Sequence, residues 1–219
     1  MNPGIRLRRW GLALLLAVTA AAVAQTPSRP VLLVLGDSLS AEYGLPRDAG
    51  WVKLLADRLS VRTSASAAQY NVVNASISGE TTSGGRTRLP ALLAQHRPAI
   101  VIIELGGNDG LRGLPLNAMR ENLIAMVEAS RKARARVLLV GLRIPPNYGR
   151  DYTGRFVATF ATVAREYKVA LAPFLLEGFA DEAGLFQGDR IHPTVEAQQR
   201  MLDNVWPHLE PLLEAATKR

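Results

Sequence analysis

The sequence predicts an α/β fold: a mainly five-stranded parallel sheet with helices on both faces. Three observations predict it. Short apolar strands alternate with helical stretches along the whole chain. The strands read as continuous apolar runs rather than alternating ones, which implies burial on both faces. The residues able to do chemistry follow strands, and ligands in open parallel sheets bind outside the carboxyl ends of strands.

The elements follow in order. Val31–Leu35 is a first strand, ended by Gly36, Asp37 and Ser38. "WVKLLADRL" sets Trp51, Leu54, Leu55 and Leu59 at helical spacing. "YNVVNAS" is a second strand. "GGRTRLPALLAQH" is a helix in which Pro90 must fall near the start or make a kink. Ala99–Leu105 is an apolar third strand. "LPLNAMRENLIAMVEASRKARA" is a long helix with Pro115 in its first turn. "RVLLVGL" is the fourth strand, "TGRFVATFATVAREY" a helix, and "KVALAPFL" holds the fifth strand. Pro193 opens a last helix running towards Leu212. There is no internal repeat or low-complexity tract, and no sign of a second domain.

Residues 1–24 read differently. Arg6, Arg8 and Arg9 precede an apolar run that closes on Ala22-Val23-Ala24 before Gln25. That is the pattern of a secretory signal peptide, too short for a bilayer span. Cleavage near Ala24/Gln25 would leave a single domain over residues 25–219, exported to the periplasm or beyond. This remainder carries 23 basic and 19 acidic residues, a net charge of +4 spread along the chain. Such a balance gives no support to a nucleic-acid partner and allows at most peripheral contact with a membrane.

The chain has no cysteine, so disulfides, thiolate catalysis and sulfur-ligated zinc are excluded. His96, His192 and His208 lie far apart and form no HExxH pair. No cofactor or metal is expected, and Walker A, dinucleotide and complete GxSxG motifs are all absent.

The strand ends collect a specific set of groups. Strand one delivers Ser38, strand two "SISGETTSGG" with Gly79, and strand three "GGNDG" with Asn108. The segment before the last helix delivers "GDRIHP", with Asp189 and His192. A serine is a weak nucleophile until a base takes its proton, and an imidazole titrating near neutral pH is the natural base. An acid must orient that ring, and Asp189 stands three residues before it. The oxyanion formed on attack needs fixed donors, which the Ser38 and Gly79 backbone N–H groups and the Asn108 amide can supply.

These blocks carry a resemblance. "GDSLS", "ISGETT", "GGNDGLRG" and "DRIHPT" resemble, in order, the sequence blocks of the SGNH (GDSL) hydrolase family. The likeness spans roughly residues 31–212. "NASISGETT", "LPALLAQHRP", "ELGGNDGLRGLP" and "PPNYGRDY" are most similar to the bacterial multifunctional thioesterase/lysophospholipase group and related arylesterases. The resemblance implies a three-layer αβα sandwich, the flavodoxin-like fold of that family. It also implies a nucleophile Ser38, oxyanion donors Ser38, Gly79 and Asn108, and an acid and base in Asp189 and His192. Two positions depart from the close group. Glu42 stands where a small residue is usual and Arg190 where glycine is common, and both would alter the rim of the site.

Other residues have plainer roles. Asp37 adjoins Ser38 and is too close in sequence to sandwich a histidine, so it reads as fixing the turn. Asp109 reads as a turn-capping acid, and Ser76, Ser78 and Ser83 as turn and cap residues. His96 and His208 read as residues of helix ends.

The function expected is hydrolysis of carboxylic esters and thioesters of acyl chains through an acyl-enzyme, acting on a small-molecule ester, thioester or lysophospholipid. Leu111, Leu114, Ile144, Pro145 and Tyr148 are candidates to line an acyl groove, since such sites are mostly apolar; ordinary loop packing is the alternative for each. A carbohydrate O-deacetylase would use the same chemistry. A non-catalytic acyl- or lipid-binding protein would have no use for Ser38, Asp189 and His192 together.

Overall fold

The computed structural model describes residue 1, residues 29–61 and residues 70–216. The segment read as a signal peptide, residues 1–24, lies outside the described residues apart from residue 1. Five parallel strands form one sheet: β1 (Val31–Gly36), β2 (Asn71–Asn74), β3 (Ile100–Glu104), β4 (Arg136–Val140) and β5 (Ala170–Ala172), in the order β2-β1-β3-β4-β5. Leu32 to Leu35 and Ile100 to Ile103 are buried, because the two central strands are covered on both faces. β2 is only half-buried, as an edge strand should be.

Among the described residues, six helices cover the sheet: α1 (Trp51–Ser60), α2 (Thr82–His96), α3 (Gly107–Leu111), α4 (Leu116–Lys132), α5 (Arg150–Tyr167) and α6 (Gln198–Ala216). Parallel crossovers are right-handed, so the direction of strand-to-strand travel decides the face. β1 to β2 runs one way along the sheet, and β2 to β3, β3 to β4 and β4 to β5 run the other. Consistent with this, α1 packs against α6, while α2 packs on α4 and α4 on α5. The chain therefore makes the three layers of an αβα sandwich. Trp51, Val52, Leu55 and Leu59 are the buried face of α1, at the spacing the sequence showed.

Three local expectations need correcting. α2 begins at Thr82, earlier than expected, so Pro90 lies in its interior rather than near its start. The helix tolerates the missing N–H there because Pro90 faces solvent and Leu89 and Leu93 supply the buried contacts. Pro193 does not open the last helix directly. A 3-10 turn, Val195–Ala197, intervenes, and α6 starts at Gln198 and includes Pro207 and Pro211. His208 consequently lies inside α6 rather than at its end.

The strand order reverses between β1 and β3, the switch point where two crossovers leave in opposite directions and open a crevice. β1 ends two residues before Ser38, and β3 ends four residues before Asn108. The topology alone thus brings these two residues to one crevice.

Candidate active site

Ser38 sits on the turn that follows β1. The turn is tied in three ways. Asp37 Oδ1 accepts the Leu39 N–H at 3.1 Å. The Asp37 carbonyl accepts from the Ser40 and Ala41 N–H groups at 3.2 and 2.9 Å. Asn74 Nδ2, at the end of β2, donates to the Ser40 carbonyl at 2.8 Å. The expected role of Asp37 in fixing this turn is visible as the first of these bonds.

His192 and Asp189 come from a loop closed on itself. Gln187 N–H donates to the His192 carbonyl at 2.8 Å, and Arg190 N–H to the Gln187 carbonyl at 2.9 Å. Phe186 and Pro193 bridge its two ends. Arg190 takes φ of 59° to make the turn, a left-handed conformation that explains why glycine is common at this position. Asp189 Oδ1 accepts the backbone N–H groups of Ile191 and His192 at 2.9 and 3.0 Å. Its other oxygen, Oδ2, meets His192 Nδ1 at 2.6 Å.

The two loops meet at the imidazole. His192 Nε2 lies 2.8 Å from Ser38 Oγ. Ser38, His192 and Asp189 thus form a continuous relay from hydroxyl to imidazole to carboxylate. Burial works to raise the Asp189 carboxyl, but the His192 ring and the two backbone N–H groups outweigh it and hold it down at about 2. The acid is therefore ionised at neutral pH, as an orienting carboxylate must be.

The donor side of the crevice is equally specific. Among the described residues, the backbone N–H groups of Ser38 and Gly79 donate to no protein acceptor. Gly79 has φ of 80°, and its carbonyl is held by Arg112 Nη2 at 2.9 Å. Asn108 lies in the first turn of α3, its Nδ2 3.2 Å from Asp37 Oδ2. Asp109 turns out to tie rather than merely cap its own turn: its carboxylate accepts the Thr82 N–H at 2.9 Å and the Thr82 hydroxyl at 2.5 Å. It thereby fixes the start of α2, just beyond Gly79, to the start of α3, which holds Asn108.

Of the groove candidates, Leu114, Pro145 and Tyr148 are exposed and Leu111 is half-buried. Ile144 instead belongs to the buried core, beside Gly110 and Phe156. The Tyr148 hydroxyl donates to the Leu111 carbonyl at 2.7 Å, and the Tyr152 hydroxyl to the Leu114 carbonyl at 2.8 Å. The loops after β3 and β4 are stitched together by these bonds.

Glu42 does not reach the relay. Its carboxylate accepts the N–H groups of Asp48 and Gly50 at 3.1 and 2.8 Å and so braces the loop leading into α1. Two contributors escaped sequence reasoning. Tyr43 lies against the His192 ring, and Glu104, fully buried at the end of β3, accepts the Ser40 hydroxyl at 2.7 Å. A lone acid closing the apolar run "AIVIIEL" was a signal for the second; nothing in the pattern signalled the first. No group of three or more His, Asp or Glu side chains suited to a metal occurs among the described residues.

Comparison with known proteins decides the family. The profile of the GDSL-like Lipase/Acylhydrolase family matches residues 34–200. The chain belongs to this family. It is 50% identical to the esterase TesA of Pseudomonas aeruginosa over 203 residues, covering 93% of this chain and 96% of that protein. It is 42% identical to the thioesterase 1/protease 1/lysophospholipase L1 of Escherichia coli K12 over 208 residues, covering 94% of each. Among solved structures, the psychrotrophic esterase EstA of Pseudoalteromonas sp., inhibited by monoethylphosphonate, superposes with a TM-score of 0.78 at 42% identity, covering 84% of this chain and 98% of that one. The protein is an ester-hydrolysing enzyme.

Proposed function

We propose that this acylhydrolase cleaves carboxylic esters and thioesters of acyl chains, with Ser38 as the nucleophile. The observation that carries the mechanism is the relay Ser38–His192–Asp189, with spacings of 2.8 and 2.6 Å. Ser38 Oγ attacks the acyl carbonyl while His192 Nε2 takes its proton. The imidazolium is stabilised by ionised Asp189. The carbonyl oxygen becomes an oxyanion facing the N–H groups of Ser38 and Gly79 and the Asn108 amide. Collapse expels the alcohol or thiol, which takes the proton from His192 and leaves an acyl group on Ser38. Water, deprotonated by His192, then releases the acid and restores the serine.

The substrate class rests on the relatives and on the apolar character of Leu111, Leu114, Pro145 and Tyr148 in the segments that follow β3 and β4. Lysophospholipid and aryl ester substrates fall within it. We also propose export, from the basic–apolar–small pattern of residues 1–24; mature protein isolated from its host should begin at Gln25. No helix among the described residues is long and apolar enough to cross a membrane.

The test combines a substrate series with a label. The wild type should hydrolyse p-nitrophenyl esters and an acyl-CoA. Ser38→Ala should lose this turnover while unfolding at an unchanged temperature, and a fluorophosphonate should modify Ser38. A label on another serine, together with an active Ser38→Ala protein, overturns the assignment.

A further inference from the structure

Asp37 uses both carboxylate oxygens, and each serves a different part of the site. Oδ1 accepts the Leu39 N–H and fixes the nucleophile turn; Oδ2 accepts from Asn108 Nδ2 at 3.2 Å. The residue is buried, yet both its bonds come from groups flanking the reacting centre. An amide nitrogen carries two N–H groups. With one of them committed to Asp37, the other is left for the crevice that Ser38 borders. The carboxylate also decides which way the amide is turned. A flipped Asn108 would set its carbonyl oxygen against a carboxylate, oxygen to oxygen.

The approach of α3 to Asp37 is built into the backbone. Gly106 has φ of 123°, and a Cβ on Gly107 would stand 3.1 Å from Asp37 Oδ2. The pair of glycines lets the helix that holds Asn108 come up close to the carboxylate. From the other side, Glu104 Oε2 accepts the Asp37 backbone N–H at 3.3 Å and the Ser40 hydroxyl at 2.7 Å, which fixes the peptide from which the Asp37 side chain springs.

We propose that Asp37 is a positioning residue for oxyanion stabilisation, holding the Asn108 amide so that its second N–H faces the oxyanion. This rests on the reading of Asn108 as an oxyanion donor. The charges facing Asp37 come from three directions. Asp109 on α3 opposes its ionisation, His192 on the opposite loop favours it, and Glu104 on β3 has its own carboxyl raised by the Asp37 charge. Burial is the largest influence and pushes the carboxyl up to about 6. Asp37 therefore gains its charge, and its strongest hold on the amide, as pH rises through that value.

The test separates turn-fixing from amide-positioning. A serine at position 37 can still cap the Leu39 N–H through its hydroxyl but is too short to reach Asn108. Asp37→Ser and Asp37→Asn are each made in the wild type and in Asn108→Ala, with kcat and KM measured on one chromogenic ester. Misplacing one catalytic donor costs up to about a hundred-fold. Asp37→Ser should lower kcat about ten- to a hundred-fold with KM nearly unchanged, and Asp37→Asn, which keeps a neutral acceptor, should lose less. In the Asn108→Ala background both should change kcat less than about threefold, because the residue they act through has gone. Equal losses in both backgrounds overturn the proposal, as does an Asp37→Ser protein with normal kcat. A normal kcat in Asn108→Ala itself instead removes the underlying reading of Asn108. Either variant that folds suffices, since each makes the same additivity comparison.

Discussion

The ring of Tyr43 lies against the face of His192, centroids 4.4 Å apart and planes tilted by 37°. Tyr43 is itself half exposed, so it covers the imidazole on one side while standing in solvent on the other. The contact comes from the same loop as Ser38: Tyr43 N–H donates to the Ser38 carbonyl at 3.3 Å. The Ser38 loop and the His192 ring are therefore joined by packing as well as by the Ser38–His192 bond. Aromatic contacts of this kind are worth about 0.5–1.5 kcal/mol beyond their buried area. Tyr43→Ala should accordingly lower kcat/KM about two- to tenfold, with Tyr43→Phe close to wild type. Steady-state kinetics on a short ester checks this, and a Phe variant as impaired as the Ala variant would show that the hydroxyl, not the ring, matters.

Asn108 offers a sharper comparison. Asn108→Ala removes one donor, whereas Asn108→Asp puts a carboxylate where negative charge develops. It also sets two acids against each other, since Asp37 Oδ2 lies 3.2 Å from the present amide nitrogen. Loss of one oxyanion donor costs about 3–4 kcal/mol, a hundred- to a thousand-fold in rate. Asn108→Ala should show that loss in kcat, and Asn108→Asp should be worse. If both kept kcat and lost only KM, Asn108 would position substrate rather than stabilise the transition state.

The strands and helices were legible because burial on both sheet faces writes itself as apolar runs such as Leu32–Leu35 and Ile100–Ile103. The site residues were legible because Ser38 and Asn108 each follow a strand within a few residues, and Asp189 and His192 stand together just before the last helix. What stayed hidden depends on contacts between distant segments. Tyr43 reads as an ordinary loop aromatic until His192, far along the chain, folds against it. Ile144 reads as a groove residue because it follows a strand beside prolines, but Gly110 leaves a space that draws it into the core. The run of the last helix through Pro207 and Pro211, by contrast, was read from the sequence, and Val205, Leu209 and Leu213 pack it into the core.

Glu104 should reveal itself through pH. It is fully buried, and burial, reinforced by the neighbouring Asp37 charge, pushes its carboxyl well above the ordinary 4.5. A folded carboxyl that holds its proton more tightly than the unfolded chain does adds stability below the unfolded value. That stability is lost as pH rises through the folded value. Glutamine does not titrate and can accept the same bonds from Ser40 and Asp37. Measured by thermal unfolding, Glu104→Gln should therefore gain on the wild type as pH rises above 5, until Glu104 ionises in the folded protein. A difference between the two proteins that stays flat with pH would mean that Glu104 is already ionised at pH 5.

Gly44 and Gln187 make the last prediction. Gln187 Nε2 donates to the Tyr43 carbonyl at 2.8 Å and to the Pro193 carbonyl at 3.2 Å, so one side chain clasps the serine loop to the histidine loop. It passes directly over Gly44, where a Cβ would overlap its Oε1. Gly44 also has φ of 71°, a region costly for any other residue. Gly44→Ala thus faces two separate penalties, backbone strain and eviction of the clasp. Strain alone costs about 1–3 kcal/mol. The two can be divided by adding Gln187→Ala, which removes the obstructing side chain and leaves the backbone as it was. Gly44→Ala should destabilise the wild type more than it destabilises the Gln187→Ala protein, and in the wild type it should lower kcat as well, because the loops holding Ser38 and His192 lose their tie. Denaturant unfolding of the four proteins supplies the comparison. Strictly additive stabilities would assign the whole cost of Gly44→Ala to its dihedral and none to the clasp.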